Sequence, residues 1–260
     1  MKIYAVYNIK GGVGKTATAV NLAYLSARAG FRTLVWDLDP QGAASFYFRI
    51  KPKMKGGSRG LIRGKRHPDS IIRGTDYPGL DLLRAHFSYR HLDLRLAESR
   101  HPDKRLAHVL RLLEGDYERV FLDCAPGITL ASESVFHAAT ALLVPTIPTT
   151  LSLRTLDQLL RYLKREGPKG VRVLPFYSML DARKSLQRRI CEATAHTPGF
   201  LTTRIPYASL VEQMGERRAP LPAYAPASPA SRAFDALWQE IEARQESLIQ
   251  INAAQARKSA

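Results

Sequence analysis

Three glycines set between two lysines constrain this chain more than any other stretch. Residues Lys10, Gly11, Gly12, Val13, Gly14, Lys15 and Thr16 follow an apolar run, Ile3–Tyr7, and precede a helical pattern over Thr18–Ala29. Strand, glycine loop and helix in that order are the context a phosphate-binding loop requires. Glycines let backbone N–H groups point inward at phosphate oxygens where side chains would clash. The N-terminus of the following helix adds partial positive charge. In such a loop Lys15 reaches the β- and γ-phosphates, and the Thr16 hydroxyl holds Mg²⁺. A glycine turn without a ligand is the competing reading, and the agreement of motif with context weighs against it.

The rest of the 260 residues reads as one α/β domain built around that loop, with no room for a second domain of ordinary size. Short apolar runs over Thr33–Trp36, Leu80–Leu83, Arg119–Asp123, Ala141–Pro145 and Val171–Phe176 predict buried strands, with a weaker one over Phe200–Ile205. Helices are expected over about Tyr89–Leu113, broken at His101-Pro102, over Leu151–Glu166, and over the basic segment Lys184–Ala195. Pro220–Pro229, with four prolines, predicts an extended surface segment. Ser228 then caps a C-terminal helix over about 228–256, with Phe234, Leu237, Trp238 and Ile241 on one stripe and a frayed tail over 253–260. Near-continuous apolar strands alternating with helices imply a doubly wound, mostly parallel sheet covered by helices on both faces.

Hydrolysis of a nucleotide needs a metal at the β- and γ-phosphates, a carboxylate to orient water, and positive charge for the transition state. In open α/β sheets these groups sit at the carboxyl ends of strands. Asp37, Asp39 and Asp123 stand at two such ends, each after an apolar run. Asp123 reads as the Walker B carboxylate, holding Mg²⁺ directly or through water.

The loop with its leading Lys10 resembles the deviant Walker A motif of the ParA/MinD class of P-loop ATPases. Asp37-Leu-Asp-Pro-Gln-Gly42 and Asp123-Cys-Ala-Pro126 resemble that family's second and third signatures. The resemblance covers most of the chain. It implies that Lys10 crosses a dimer interface to the partner's nucleotide and serves turnover. It further implies that Asp39 is the catalytic acid, that Asp37 belongs to the outer shell of the metal, and that Gly127 and Ile128 lie on a loop sensing the γ-phosphate. Phe176–Asp181 and Arg204–Tyr207 resemble the segments that line adenine, which implies apolar base contacts at Met179 and Pro206. Three positions depart from the pattern. Ala17 replaces a hydroxyl residue, while its N–H still suits the α-phosphate. Ala125 replaces the first proline after Asp123-Cys124. Tyr207 stands where partition ATPases often carry a DNA-binding arginine. None of the three asparagines, Asn8, Asn21 and Asn252, begins the guanine-reading Asn-Lys-x-Asp motif, so ATP with Mg²⁺ is expected rather than GTP.

Lys and Arg number 39 against 23 Asp and Glu, a net charge of +16, which suggests a polyanionic partner. Together with the resemblance, this predicts a homodimer closed by ATP that binds DNA without sequence preference. Slow hydrolysis would be stimulated by a ParB-like or other adaptor protein. The cycle would position a chromosome, plasmid or protein cargo that the sequence does not identify. Arg183, Lys184, Arg188, Arg189, Arg204, Arg217 and Arg218 are the candidate DNA contacts, ranked above the basic loop Arg49–Pro68, which holds eight Lys and Arg and no acid. The phosphate-binding loop lies close to residue 1, so an N-terminal helix-turn-helix is not expected. Two cysteines, no membrane-length apolar run and no signal pattern point to a cytoplasmic, nucleoid-associated protein. Two alternatives remain. A MinD-like membrane switch would use Leu248–Ile251 with Arg257 and Lys258 as an amphipathic tail. A metabolic enzyme or iron–sulfur reductase would need paired cysteines, whereas Cys124 and Cys191 are lone residues.

Overall fold

The computed structural model describes residues 1–51, 59–195 and 197–258, with side chains through Gln245. Its strands are β1 (Lys2–Val6), β2 (Thr33–Asp37), β3 (Ile72–Gly74), β4 (Leu80–Leu83), β5 (Arg119–Asp123), β6 (Ala141–Thr146), β7 (Arg172–Leu180) and β8 (Arg204–Pro206). Every residue of β2, β5 and β6 is buried, because both faces of the sheet are covered. Successive side chains of a strand point to opposite faces, and this alternation divides the interior in two. Ala5, Leu34, Trp36, Val120, Leu122 and Leu142 join one core. Tyr4, Val6, Val35, Phe121, Ala141 and Leu143 join the other.

The spatial order is β3-β4-β2-β5-β1-β6-β7-β8. All neighbours run parallel except β3 and β4. This is the doubly wound, mostly parallel sheet expected from the sequence. Strand register assembles the site. Asp123 at the end of β5 lies opposite Asp37 of β2 on one side and Val6 of β1 on the other. The residues that follow Val6 therefore open into a loop beside two carboxylates, at a position where open α/β sheets bind ligands.

The ends of several elements differ from the sequence reading. β7 runs on to Leu180, and β8 begins only at Arg204. Part of the proline-rich stretch is a helical turn, Leu221–Tyr224, with Pro222 in its first turn. Proline is well suited to that position because its missing N–H has no partner there. The antiparallel edge strand β3 and the short helix Ala43–Tyr47 carry no clear periodic signal. The C-terminal helix spans Pro229–Lys258, and Ser228 Oγ accepts from Ser231 N at 3.1 Å, as a cap should. Residues 52–58 of the basic loop, residues 259–260, and the side chains of Leu248–Ile251, Arg257 and Lys258 lie outside the described residues. No helix among the described residues is long and apolar enough to cross a membrane.

Candidate functional site

The loop between β1 and the helix Lys15–Arg28 takes conformations that glycine permits. Gly12 and Gly14 have φ of 70° and 89°. A Cβ on Gly14 would also meet Ser178 Oγ at 3.0 Å. Val13 between them is fully buried and pins the loop to the core. The buried Asn8 fixes its start, donating to Pro145 O and accepting from Lys10 N, both at 2.9 Å. Lys15 is 8% exposed, and its ammonium donates to Lys10 O at 3.2 Å. Burial lowers the Lys15 pKa, while Asp123, Cys124 and Asp39 pull it back up. The Lys10 side chain is half-buried and has no hydrogen bond or ion pair among the described residues.

Three acids gather beside this loop. Asp37 is fully buried, and its Oδ2 accepts from Ser45 N at 2.8 Å and Ser45 Oγ at 2.7 Å. Its Oδ1 has no partner among the described residues. Burial raises the Asp37 pKa, the two bonds from Ser45 lower it, and the charge of Asp39 raises it again. Asp123 is also fully buried, with neither carboxylate oxygen in hydrogen-bond geometry. Burial and the neighbouring Asp37 hold its pKa well above the ordinary range, against the opposing pull of the nearby Thr16 hydroxyl and Lys15. Asp39 is less buried and sits in a turn. Its Oδ1 accepts from Gln41 N at 2.9 Å and its carbonyl from Gly42 N at 3.0 Å.

A buried carboxylate whose two oxygens lack hydrogens needs a cation or a proton. Thr16, Asp37 and Asp123 thus supply hard oxygen donors at one place. Such oxygens suit Mg²⁺, which binds through few protein oxygens and completes its shell with water and phosphate. The loop after β5 is tied to the same region. Gly127 N donates to Ile9 O at 3.2 Å, and Tyr7 Oη donates to Gly127 O at 3.0 Å.

Met179 and Pro206, far apart in sequence, line one cavity of about 170 Å³ together with Gly12, Gly14, Ala17 and Tyr207. Met179 has φ of 54° at the irregular pairing of β7 with β8. A non-glycine residue in that region is uncommon, and here it shapes the cavity wall beside the glycine loop. Asn8, Ser45, Tyr7 and Ser178 are the site residues the sequence did not single out. Asn8 left one usable signal, a polar residue closing an apolar strand directly before the loop.

The candidate DNA residues fall into two sets. Arg183 forks onto Asp181 at 2.9 and 3.0 Å, Arg188 donates to Ala182 O at 2.5 Å, and Arg204 to Cys191 O at 3.4 Å. Arg218 donates to Phe46 O at 3.2 Å and lies 4.6 Å from the Phe46 ring centroid. Lys184, Arg189 and Arg217 are exposed, without hydrogen bond or ion pair from their side chains among the described residues.

A family model described as an AAA domain matches residues 1–167. The chromosome partitioning protein ParA of Caulobacter vibrioides is 30% identical over 199 residues, covering 74% of each chain. The chromosome-partitioning ATPase Soj of Treponema pallidum is 27% identical over 254 residues, covering 94% of this chain and 98% of its own. The fold is also that of cobyrinic acid a,c-diamide synthase from Mycobacterium smegmatis, solved with ADP and magnesium, at TM-score 0.80 and 24% identity over 95% and 96% of the two chains. That last likeness shows the fold alone, and the fold serves more than one activity. Sequence identity with ParA and the matching family model decide the matter: the chain belongs to the ParA-type partition ATPases.

Proposed function

We propose that this protein binds ATP with Mg²⁺, dimerises across two nucleotides, binds DNA without sequence preference, and hydrolyses ATP slowly until an adaptor stimulates it. The observation that carries this reading is the buried Asp123, whose oxygens have no hydrogen-bond partner, beside Thr16, Lys15 and a positive-φ glycine loop. The loop amides and Lys15 bind and orient the phosphates. Thr16 and Asp123 hold Mg²⁺, with Asp37 behind them. When bound, the ion offsets charge between the β- and γ-phosphates. Asp39, the least buried of the three acids, orients the attacking water. Met179 and Pro206 enclose the base, and Ala17 offers its N–H to the α-phosphate. Magnesium with ADP in the Mycobacterium smegmatis synthase supports the cofactor assignment through a shared fold.

In this cycle the ATP-bound dimer rides on the nucleoid, and its release by a ParB-like partner moves the cargo. The test uses Asp39→Ala. Sedimentation with ATP and Mg²⁺ should show a stable dimer with turnover reduced by roughly a hundredfold or more, the scale of losing one positioned catalytic group. Turnover near wild type in that variant would remove Asp39 from its role. Co-sedimentation with DNA and with anionic vesicles separates this reading from the MinD-like one. Vesicle binding without DNA binding would reverse the choice.

A further inference from the structure

The helix Arg105–Arg111 and the turn before it divide their residues sharply. Leu106, Val109 and Leu110 are buried in the core. His101, Lys104, His108 and Arg111 recur every three or four residues, the spacing of one helical face, with Arg105 beside Lys104. With Ser99 and Arg100 they line a notch of about 230 Å³ that contains no carboxylate and no apolar side chain. Two acids lie nearby: Asp103 is 3.8 Å from the His137 ring, and Glu98 pairs with Arg95 at 3.8 Å and, at 2.6 Å, with Arg63 of the neighbouring segment, so Arg63 already has a counter-ion. Arg100, Lys104 and Arg111 are exposed and have no ion pair among the described residues.

A second concavity is lined by Arg59, Gly60, Arg63 and Lys65. Arg105 of the first links the two segments, donating to Ile62 O and lying against Gly64. The wider segment 49–111 carries 16 Lys and Arg against six Asp and Glu, so it holds ten of the sixteen net positive charges. Like charges converging without a counter-ion repel one another. A fold that keeps them converged is complementary to an anion. Arginine forks and lysine points suit phosphate oxygens. Two linked notches suit a row of phosphates better than a single one. A membrane-binding surface would bury an apolar face in the lipid boundary, and no apolar residue lines either notch.

We propose that the notch of Arg100, His101, Lys104, Arg105, His108 and Arg111 seats backbone phosphates of duplex DNA, with Arg59 and Lys65 extending the track. The inference rests on the DNA-binding reading above and relocates its main contact surface away from Arg183–Arg189. The helix that carries the notch is tied to its neighbour, since Leu106 N donates to Ser134 Oγ at 3.0 Å in the helix Leu130–Ala138.

The test is fluorescence anisotropy of an arbitrary labelled duplex with the full chain, ATP and Mg²⁺. The variants are Arg100→Ala/Lys104→Ala/Arg111→Ala, the reversal Lys104→Glu/Arg111→Glu, and Arg188→Ala/Arg189→Ala. The first two should raise Kd at least about tenfold and lower the salt slope by roughly two to three, near one for each phosphate no longer neutralised. DNA-free ATP turnover and the melting curve should stay at wild-type values. Wild-type affinity and salt slope in both notch variants overturn this surface while the DNA reading stands. A wild-type protein that ignores duplex DNA with ATP present overturns both. Loss of phosphatidylserine-vesicle binding with DNA binding intact reassigns the notch to membrane and overturns the proposal.

Discussion

Asn8 shows how much a single residue outside the motif contributes to the site. Its amide spans β6 and the start of the glycine loop through Pro145 O and Lys10 N. Asn8→Ala leaves two polar backbone groups without that partner, at a cost of about 1–3 kcal/mol. Urea denaturation should show that loss, together with weaker nucleotide binding because Lys10 and Gly11 are no longer held. Unchanged stability would mean that water replaces the amide without penalty. Lys15 is a different case, since its role is in binding. Lys15→Ala removes a charge-assisted interaction of about 1.5–3 kcal/mol, so affinity for a fluorescent ATP analogue should fall roughly tenfold to a hundredfold. The fold should persist. A variant that binds the analogue as tightly as wild type would place the phosphates elsewhere.

One carboxylate of the C-terminal helix gathers three partners from the sheet. Glu242 accepts from Arg119 at 2.7 Å, from Lys2 at 3.2 Å and from Tyr4 Oη. Burial pushes its pKa up, but the bonds from Arg119 and Tyr4 and the charges of Arg119 and Lys2 outweigh it, so the net shift is downward. A depressed carboxyl pKa contributes stability above its unfolded value and loses it as pH falls through the folded one. Glu242→Gln should therefore cost about 1.5–3 kcal/mol at neutral pH. The difference from wild type should shrink as pH drops below the ordinary carboxylate range. A pH-independent difference in thermal melts would assign the effect to packing. This anchor was not legible in the sequence, because Glu242 meets Lys2 and Tyr4 nearly the whole chain away and Arg119 about half the chain away. The buried strands were legible, since β2, β5 and β6 are continuous apolar runs. So was the placing of Asp37 and Asp123 at strand ends, which register sets opposite each other beside the loop after Val6. The helical turn Leu221–Tyr224 was not, because its prolines read as breakers until the position of Pro222 was fixed by tertiary packing. The cationic face of Arg105–Arg111 was legible only as helix, for charge convergence depends on which side the core takes.

At the scale of the whole molecule, the two lysines of the glycine loop differ. Lys15 is engaged with its own loop, whereas the Lys10 ammonium has no hydrogen bond or ion pair among the described residues. Within the proposed cycle its partner is the nucleotide of a second copy. Dimerisation should then depend on the γ-phosphate, because that group supplies the negative charge Lys10 reaches across the interface. Wild type should sediment as a dimer with ATP and as a monomer with ADP. Lys10→Ala should bind ATP within a few-fold of wild type, since Lys15 and the loop amides remain, yet stay monomeric and lose turnover. DNA affinity should fall with it. Two copies of one basic surface act at high effective concentration, so separating them removes avidity, a factor that reaches about a hundredfold or more in linked systems. A Lys10→Ala protein that still dimerises with ATP would show that the interface is built from other contacts. A wild-type dimer equally stable in ADP would detach assembly from the nucleotide state altogether.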